Sequence, residues 1–377
     1  ARYRALRATI AGEDAQETPD ARVPDETLLP EEEFYLPEET GSGLGYMPVN
    51  YYAILDSAYR HARGWSVAEG RDRVAALYNR FSAISESNPH AWKPGVVPTD
   101  TIRNPGDRNP MLAFPYTKLH NTSWNVDQAG AMLFCSVQMA DLLGIPETQR
   151  ESPLASAQCE QMLSVALRRD LGRVPGVAAA GRRLETSLGL RLADVDLVDL
   201  YSCFPVAVLA YATELGLSLE RDLTITGGMP FAGGPLNNYV IQATCRLAEL
   251  LRVSPGSTGL VTSVSGLMTK QGLGLWSSTL PELPYQSLDV TAEVSAANPP
   301  MTVLSTFDGS ARVAGYTVLY EKGERQRGIA MLDTLAGERV IAWTEDRDLM
   351  TSMERDDWVG RDVTCRGNQL AVTVSGA

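Results

Sequence analysis

Histidine is scarce in this chain, with only His61, His90 and His120 among 377 residues. Histidine is the usual base beside a serine or cysteine nucleophile. All three lie upstream of the segments richest in reactive side chains, so no Ser-His-Asp or Cys-His set is visible in linear order. The five cysteines, Cys135, Cys159, Cys203, Cys245 and Cys365, are odd in number, widely spaced and free of any CxxC pair. That excludes a disulfide framework or zinc knuckle and points to a reducing, cytoplasmic compartment. No run of about 18 apolar residues suggests a membrane span. The start, Ala-Arg-Tyr-Arg before acidic residues, lacks the apolar stretch of a signal peptide. Positive charge is short as well: 33 Lys plus Arg face 46 Asp plus Glu, a formal net charge of −13. This is the wrong sign for a chain that wraps a phosphate backbone, so no nucleic acid is expected as partner. No metal-ligand spacing is present. The chain opens on Ala1 instead of Met, which reads as a processed or partial product.

What is present is ordinary globular material, 44% hydrophobic and 21% charged, enough for two or three domains. Residues 1–45 read as an extended acidic arm, because the first forty carry eleven acidic against four basic side chains, punctuated by Pro19, Pro24, Pro30 and Pro37. Such an arm is a solvated linker or a tail for a basic partner. Residues 46–145 read as a loop region with helices, closing an N-terminal half. Tyr51 to Arg63 has helical spacing, and Ser66 with Glu69 forms a capping box for a helix stopped at Asn88-Pro89. Val126 to Leu143 predicts a mostly buried helix, since Ala129, Met132, Leu133, Val137, Ala140 and Leu143 recur at helical steps.

Residues 146–287 alternate strand and helix, predicting an α/β layer. The helices are expected at 181–188, 205–215 and 238–251, and the strands at 195–200, 259–264 and 274–277. Residues 288–377 change to short strands at 302–306, 312–321, 328–332, 339–344 and 369–374. Their Asp308-Gly309, Lys322-Gly323 and Ala336-Gly337 turns predict a small all-β, OB-like barrel of about five strands. From Met301 on, nine basic residues meet twelve acidic ones, so the barrel offers no positive groove.

Three segments carry the candidate chemistry. In Asp199-Leu200-Tyr201-Ser202-Cys203-Phe204-Pro205 a strand end runs into a helix N-terminus, where free amides favour developing negative charge. Cys203 there is either a nucleophile activated by that helix or a small core residue. Thr226 to Asn238 is dense in turn chemistry, with Gly233, Gly234, Pro235, Asn237 and Asn238, and reads equally as a binding loop or a tight connector. Thr262 to Gly272 is a second strand end with Ser263, Ser265 and Lys270, the lysine either meeting a phosphate or merely solvated. His120 is the histidine placed to approach a site.

These segments, in this order, resemble the C-terminal half of the thiolase superfamily, whose members make or cleave β-ketoacyl-CoA. Tyr201-Ser202-Cys203-Phe204 stands at the family's Asn-Glu-Ala-Phe or His-Asp-Cys-Phe motif. Gly233-Gly234-Pro235 stands at Gly-His-Pro, and Ser263-Val264-Ser265-Gly266 at the Cys-x-Gly loop. Asn125 to Ala131 is similar to the Asn-Asp-Gly-Ala-Ala segment. The resemblance covers about residues 45–285. Together with the Phe114-Pro115-Tyr116-Thr117-Lys118 stretch it points to acetyl-CoA acetyltransferase-like proteins, some of which carry an extra C-terminal OB-like domain.

The resemblance implies a thiolase-like layered α/β fold with an incomplete N-terminal half, a CoA or acyl-CoA ligand, a place in lipid metabolism, and a homodimer or a partner docked through the barrel. It also implies departures. The nucleophile-bearing segment is absent, Gly234 replaces the histidine, Val264 or a neighbouring serine replaces the second cysteine, and Tyr201 replaces the residue that holds an oxyanion-binding water. Two readings follow. In one, acyl transfer or carbon–carbon chemistry runs on a rearranged site with Tyr201, Ser202 and Cys203 as catalysts. In the other, the chain is a catalytically degenerate CoA-binding or partner-docking module. Nucleic-acid binding by the barrel is the disfavoured third.

Overall fold

The computed structural model describes residues 34–371. The expected acidic arm therefore lies, over residues 1–33, outside the described residues, as does the end of the strand expected to reach residue 374.

Helix α1 (Pro48–Ala62) begins with proline in its first turn and buries most of its surface. Proline suits that position because its missing N–H would be unpaired anyway. Helix α2 (Val67–Ser87) is opened by Ser66, whose Oγ accepts from the Glu69 N–H at 3.2 Å, and ends at Asn88. A short hairpin of β1 (Met111–Ala113) and β2 (Tyr116–Thr117) follows.

The helix expected over 126–143 does not form. The chain is irregular through Ser136, only Val137–Leu142 is helical, and Leu133, Phe134, Leu142 and Leu143 are exposed. The helical spacing finds nothing to pack on, and a stripe without a partner surface gives a helix little stability. Other contacts hold the segment instead. Gln128 Nε2 donates to the carbonyls of His90 and Ala232 at 2.9 and 2.8 Å, and the Phe134 ring leans on Trp276.

The α/β layer is a five-stranded mixed sheet. Its first strand, β3 (Ser152–Glu160), was not foreseen; Pro153 and a run of small residues mask its alternation. Helix α3 (Pro175–Leu188), strand β4 (Leu197–Asp199), helices α4 (Pro205–Glu214) and α5 (Tyr239–Arg252), and strands β5 (Thr258–Ser265), β6 (Lys270–Ser277) and β7 (Gln286–Asp289) complete it. The order is β4-β5-β6-β3-β7, with β4 parallel to β5, β7 parallel to β3, and the two central pairings antiparallel. Helix α3 packs on β3 and β6, and α5 packs on β5. Helix α4, apolar on every side, is buried between α1 and α3, as such a helix must be.

After the two-residue β8 (Val303–Leu304) come β9 (Gly309–Glu321), β10 (Glu324–Thr334), β11 (Arg339–Thr344), β12 (Asp362–Arg366) and β13 (Gln369–Ala371). They close in the order β9-β10-β11-β13-β12 and back to β9, a five-stranded barrel. Lys322 and Gly323 both take positive φ in the β9–β10 turn, the twist a two-residue hairpin needs. Strand β12 and the helix Arg347–Arg355 went unrecognised in the sequence. The barrel does not stand apart from the hairpin, since Ala113 of β1 pairs with Leu319 of β9. Among the described residues no helix is long and apolar enough to cross a membrane.

Candidate functional site

The end of β4 is organised by Asp199, which is fully buried. Its Oδ2 accepts from Thr224 Oγ1 (2.9 Å), Ile225 N–H (3.0 Å), Thr226 N–H (3.1 Å) and Thr226 Oγ1 (2.9 Å), and its Oδ1 accepts from the Tyr239 hydroxyl (2.8 Å). Burial still raises its pKa against those donors. Asp199 thus ties the strand end to the loop before Gly227 and to the first turn of α5. Gly227 has φ +102°, and a Cβ there would collide with Ser85 of α2, so only glycine lets that loop approach.

Of the three candidate catalytic residues, Ser202 is buried and its Oγ accepts from the Met229 N–H at 2.9 Å, a structural duty. Tyr201 is held by its own N–H on Thr262 Oγ1 of β5 (2.9 Å) and sets its ring edge-on to Tyr239 (5.5 Å). Cys203 lies at the mouth of α4. It is half-buried by surface area, yet protein mass around it pushes its thiol up to about 12, against the opposing help of the Tyr52 hydroxyl and the Phe204 and Cys203 amides. Tyr201 is raised by burial and by its proximity to Cys203, and burial raises Tyr52 and Tyr211 well above the ordinary range.

The second loop meets this group through Thr122, whose Oγ1 donates to the Cys203 carbonyl at 3.4 Å and whose methyl packs against Gly234. Gly233 and Gly234 are buried. Pro235 and Asn238 are half-buried, and Asn237 is exposed. A Cβ at Gly234 would collide with Thr122 Cγ2, so this position has no room for any larger side chain.

Around the third loop, the Tyr211 hydroxyl donates to the Ser263 carbonyl at 3.0 Å, Ser265 is exposed, and Leu267 and Met268 take positive φ. Arg168 donates to the Gly266 carbonyl at 3.2 Å and, lowered to about 10 by burial, lies within electrostatic reach of Tyr52. Lys270 is not a free cation, because its Nζ pairs with Glu160 Oε1 at 3.2 Å across β6 and β3. His120 is 3% exposed and lines a separate chamber with Asp56 and Arg71.

The structure therefore brings Tyr201, Cys203 and Gly234 together and sets Lys270 and His120 apart. Tyr52, Thr122, Asp199 and Arg168 complete the site and were not singled out as site residues. Tyr52 and Thr122 carried no local signal, whereas Asp199 stood within a quoted motif, as a buried acid at a strand end.

A mixed sheet whose strand end feeds a buried helix, with a closed barrel beside it, has a counterpart among solved structures. A monomeric SCP2-thiolase like protein type 1 from Mycobacterium smegmatis matches with TM-score 0.78 and 27% identity, over 89% of this chain and 75% of that one. This chain has a thiolase-like fold. No family model matches it. The curated 3-ketoacyl-CoA thiolases of Aeromonas salmonicida and Marinomonas sp. are 30% and 27% identical over 143 residues, 37% of this chain. The match spans about a third of those relatives' length, 35% and 34%. The Ltp2-ChsH2(DUF35) aldolase shares the fold at TM-score 0.50 and 19% identity, over 62% of this chain. The thiolase-like sheet thus carries the three loops, while the position of the expected histidine is closed by Thr122.

Proposed function

We propose that the thiolase-like site at the β4–α4 junction binds an acyl thioester of coenzyme A and stabilises negative charge on its carbonyl oxygen during carbon–carbon bond chemistry. One observation carries this reading: three neutral hydrogen-bond donors, Tyr52, Tyr201 and Cys203, gather at the N-terminus of α4, where burial raises their pKa values still further above neutrality. Such a site donates hydrogen bonds to an oxyanion or enolate, while a thiol held up to about 12 is a poor nucleophile. Tyr201 is the proposed acid and Cys203 a donor, with the Tyr52 hydroxyl donating to the Cys203 sulfur behind it. Ser202 holds the loop. Gly233, Gly234, Pro235, Asn237, Asn238, Ser263 and Ser265 form the rim proposed to meet the CoA moiety. The match to 3-ketoacyl-CoA thiolases and the fold shared with an aldolase support a thioester ligand of that class.

The crowding at Gly234 favours a second reading, a CoA-binding module without turnover that docks a partner through its barrel in a cytoplasmic setting. Assays with 3-ketoacyl-CoA and 3-hydroxyacyl-CoA thioesters separate the two. Turnover that falls in Tyr201→Phe supports the first reading. Binding with no turnover supports the second, and no binding at all removes both.

A further inference from the structure

A second feature lies away from Cys203. A chamber of about 20 Å³ sits between α1, α2, the Phe114–His120 segment and β9, lined by Asp56, Arg60, Arg71, Tyr116, His120 and Tyr316 among others. His120 Nδ1 accepts from the Thr117 N–H at 3.0 Å, which places the neutral ring's proton on Nε2. Burial first, and Arg71 second, keep the ring neutral by lowering it to about 3. That Nε2–H is buried and has no acceptor in the protein. Arg71 Nε–H, on the same chamber, is equally buried and without an acceptor, its Nη2 being committed to the Arg103 carbonyl at 2.8 Å. Leaving two buried donors unmet is unfavourable, and native proteins rarely do so. Asp56, 4% exposed, offers an acceptor, with its Oδ1 already taking the Tyr116 hydroxyl at 2.8 Å.

We propose that this chamber is a binding site for one water molecule, which accepts from His120 Nε2–H and Arg71 Nε–H and donates to the Asp56 carboxylate. The volume suits a single water and the polar partners number three, as a buried water requires. Charge around the chamber is balanced. Arg60, Arg71 and Arg103 stand against Asp56, Asp72 and Asp357, with Arg60 paired to Asp357 at 3.3 Å and also favouring the Asp56 carboxylate, and Arg103 paired to Asp72. A neutral ligand with protons to give fits that balance better than a halide ion, which has none for Asp56. Tyr116 extends the chain, because its hydroxyl also accepts from the Val206 N–H at 3.1 Å in the first turn of α4. The water thereby anchors the Phe114–His120 segment against the helix that follows Cys203, and it does so whatever the site binds.

The full chain labelled with ¹⁵N-histidine tests this, since three histidines give a simple ring spectrum. The expected result is an Nε2–H signal for His120, exchanging slowly and showing a dipolar cross-peak to a long-lived water. Its absence overturns the proposal. Crystals of the full chain soaked in bromide provide the second measurement and need no variant. A lone oxygen peak within hydrogen-bond distance of His120 Nε2 and Arg71 Nε supports the water, while anomalous bromide density there, or no density, overturns it.

Discussion

The Tyr239 hydroxyl donates to Asp199 Oδ1 at 2.8 Å, while the other carboxylate oxygen takes four donors from Thr224, Ile225 and Thr226. One buried side chain thus fixes the strand end, the glycine loop and the first turn of α5. Asp199→Ala strands these donors away from water, and a loss of about 3–5 kcal/mol is expected on urea unfolding. Tyr239→Phe removes this bond and the hydroxyl's second one, with Thr226 Oγ1 at 2.8 Å, and should cost about 1–2 kcal/mol.

Gly227 is required by geometry. Its φ of +102° and its approach to Ser85 leave no place for a methyl group. Gly227→Ala should lower stability by about 2 kcal/mol or more, read by thermal unfolding, whereas Gly256→Ala, with open space around its Cβ position, should cost about 1 kcal/mol from its positive φ alone.

Cys203 should be chemically quiet. With its thiol pushed up to about 12, its thiolate is negligible at pH 8. Iodoacetamide should label exposed Cys135 first and Cys203 at least roughly a hundredfold more slowly, as read by peptide mass spectrometry. Rapid labelling of Cys203 would reinstate it as a nucleophile.

Asp56 and His120 pull stability in opposite directions with pH. Asp56, raised by burial to about 6 from 3.8, is protonated more readily in the fold, so stability falls as pH rises from 4 to 6. His120, lowered to about 3 from 6.5, resists protonation in the fold, so stability falls as pH drops from 6.5 towards 3. Their contributions offset between about pH 4 and 6, each changing by roughly 1.4 kcal/mol per pH unit. Asp56→Asn should expose the acid lability of His120, and His120→Gln should expose a loss of stability on raising the pH through 4–6. Denaturant titrations at four pH values check both slopes.

Much of the fold was legible in the sequence because its signals are local. The Ser66 cap, the proline opening α4, the spacing of α5 and the Lys322-Gly323 turn each depend on residues within one element. The segment 126–143 misled because its spacing is helical while the partner surface a helix needs is not encoded nearby. Strand β3 was hidden by Pro153 and small residues. At the site, the residues adjacent in sequence, Tyr201 to Cys203, were found. Tyr52 reaches Cys203 from 151 positions away, and Thr122 meets both Cys203 and Gly234 only through folding. Asp56, Arg71 and His120 converge on one chamber from three separate segments, so their polar atoms are unreadable as a group in linear order.

The central claim is that the β4–α4 junction holds an acyl thioester through neutral donors. Calorimetric titration of the full chain with a 3-ketoacyl-CoA, beside Tyr201→Phe, tests it most directly. Saturable one-to-one binding, weakened about tenfold in Tyr201→Phe as the loss of one hydrogen bond predicts, agrees with the account. No saturable heat, or equal affinity in both proteins, contradicts it.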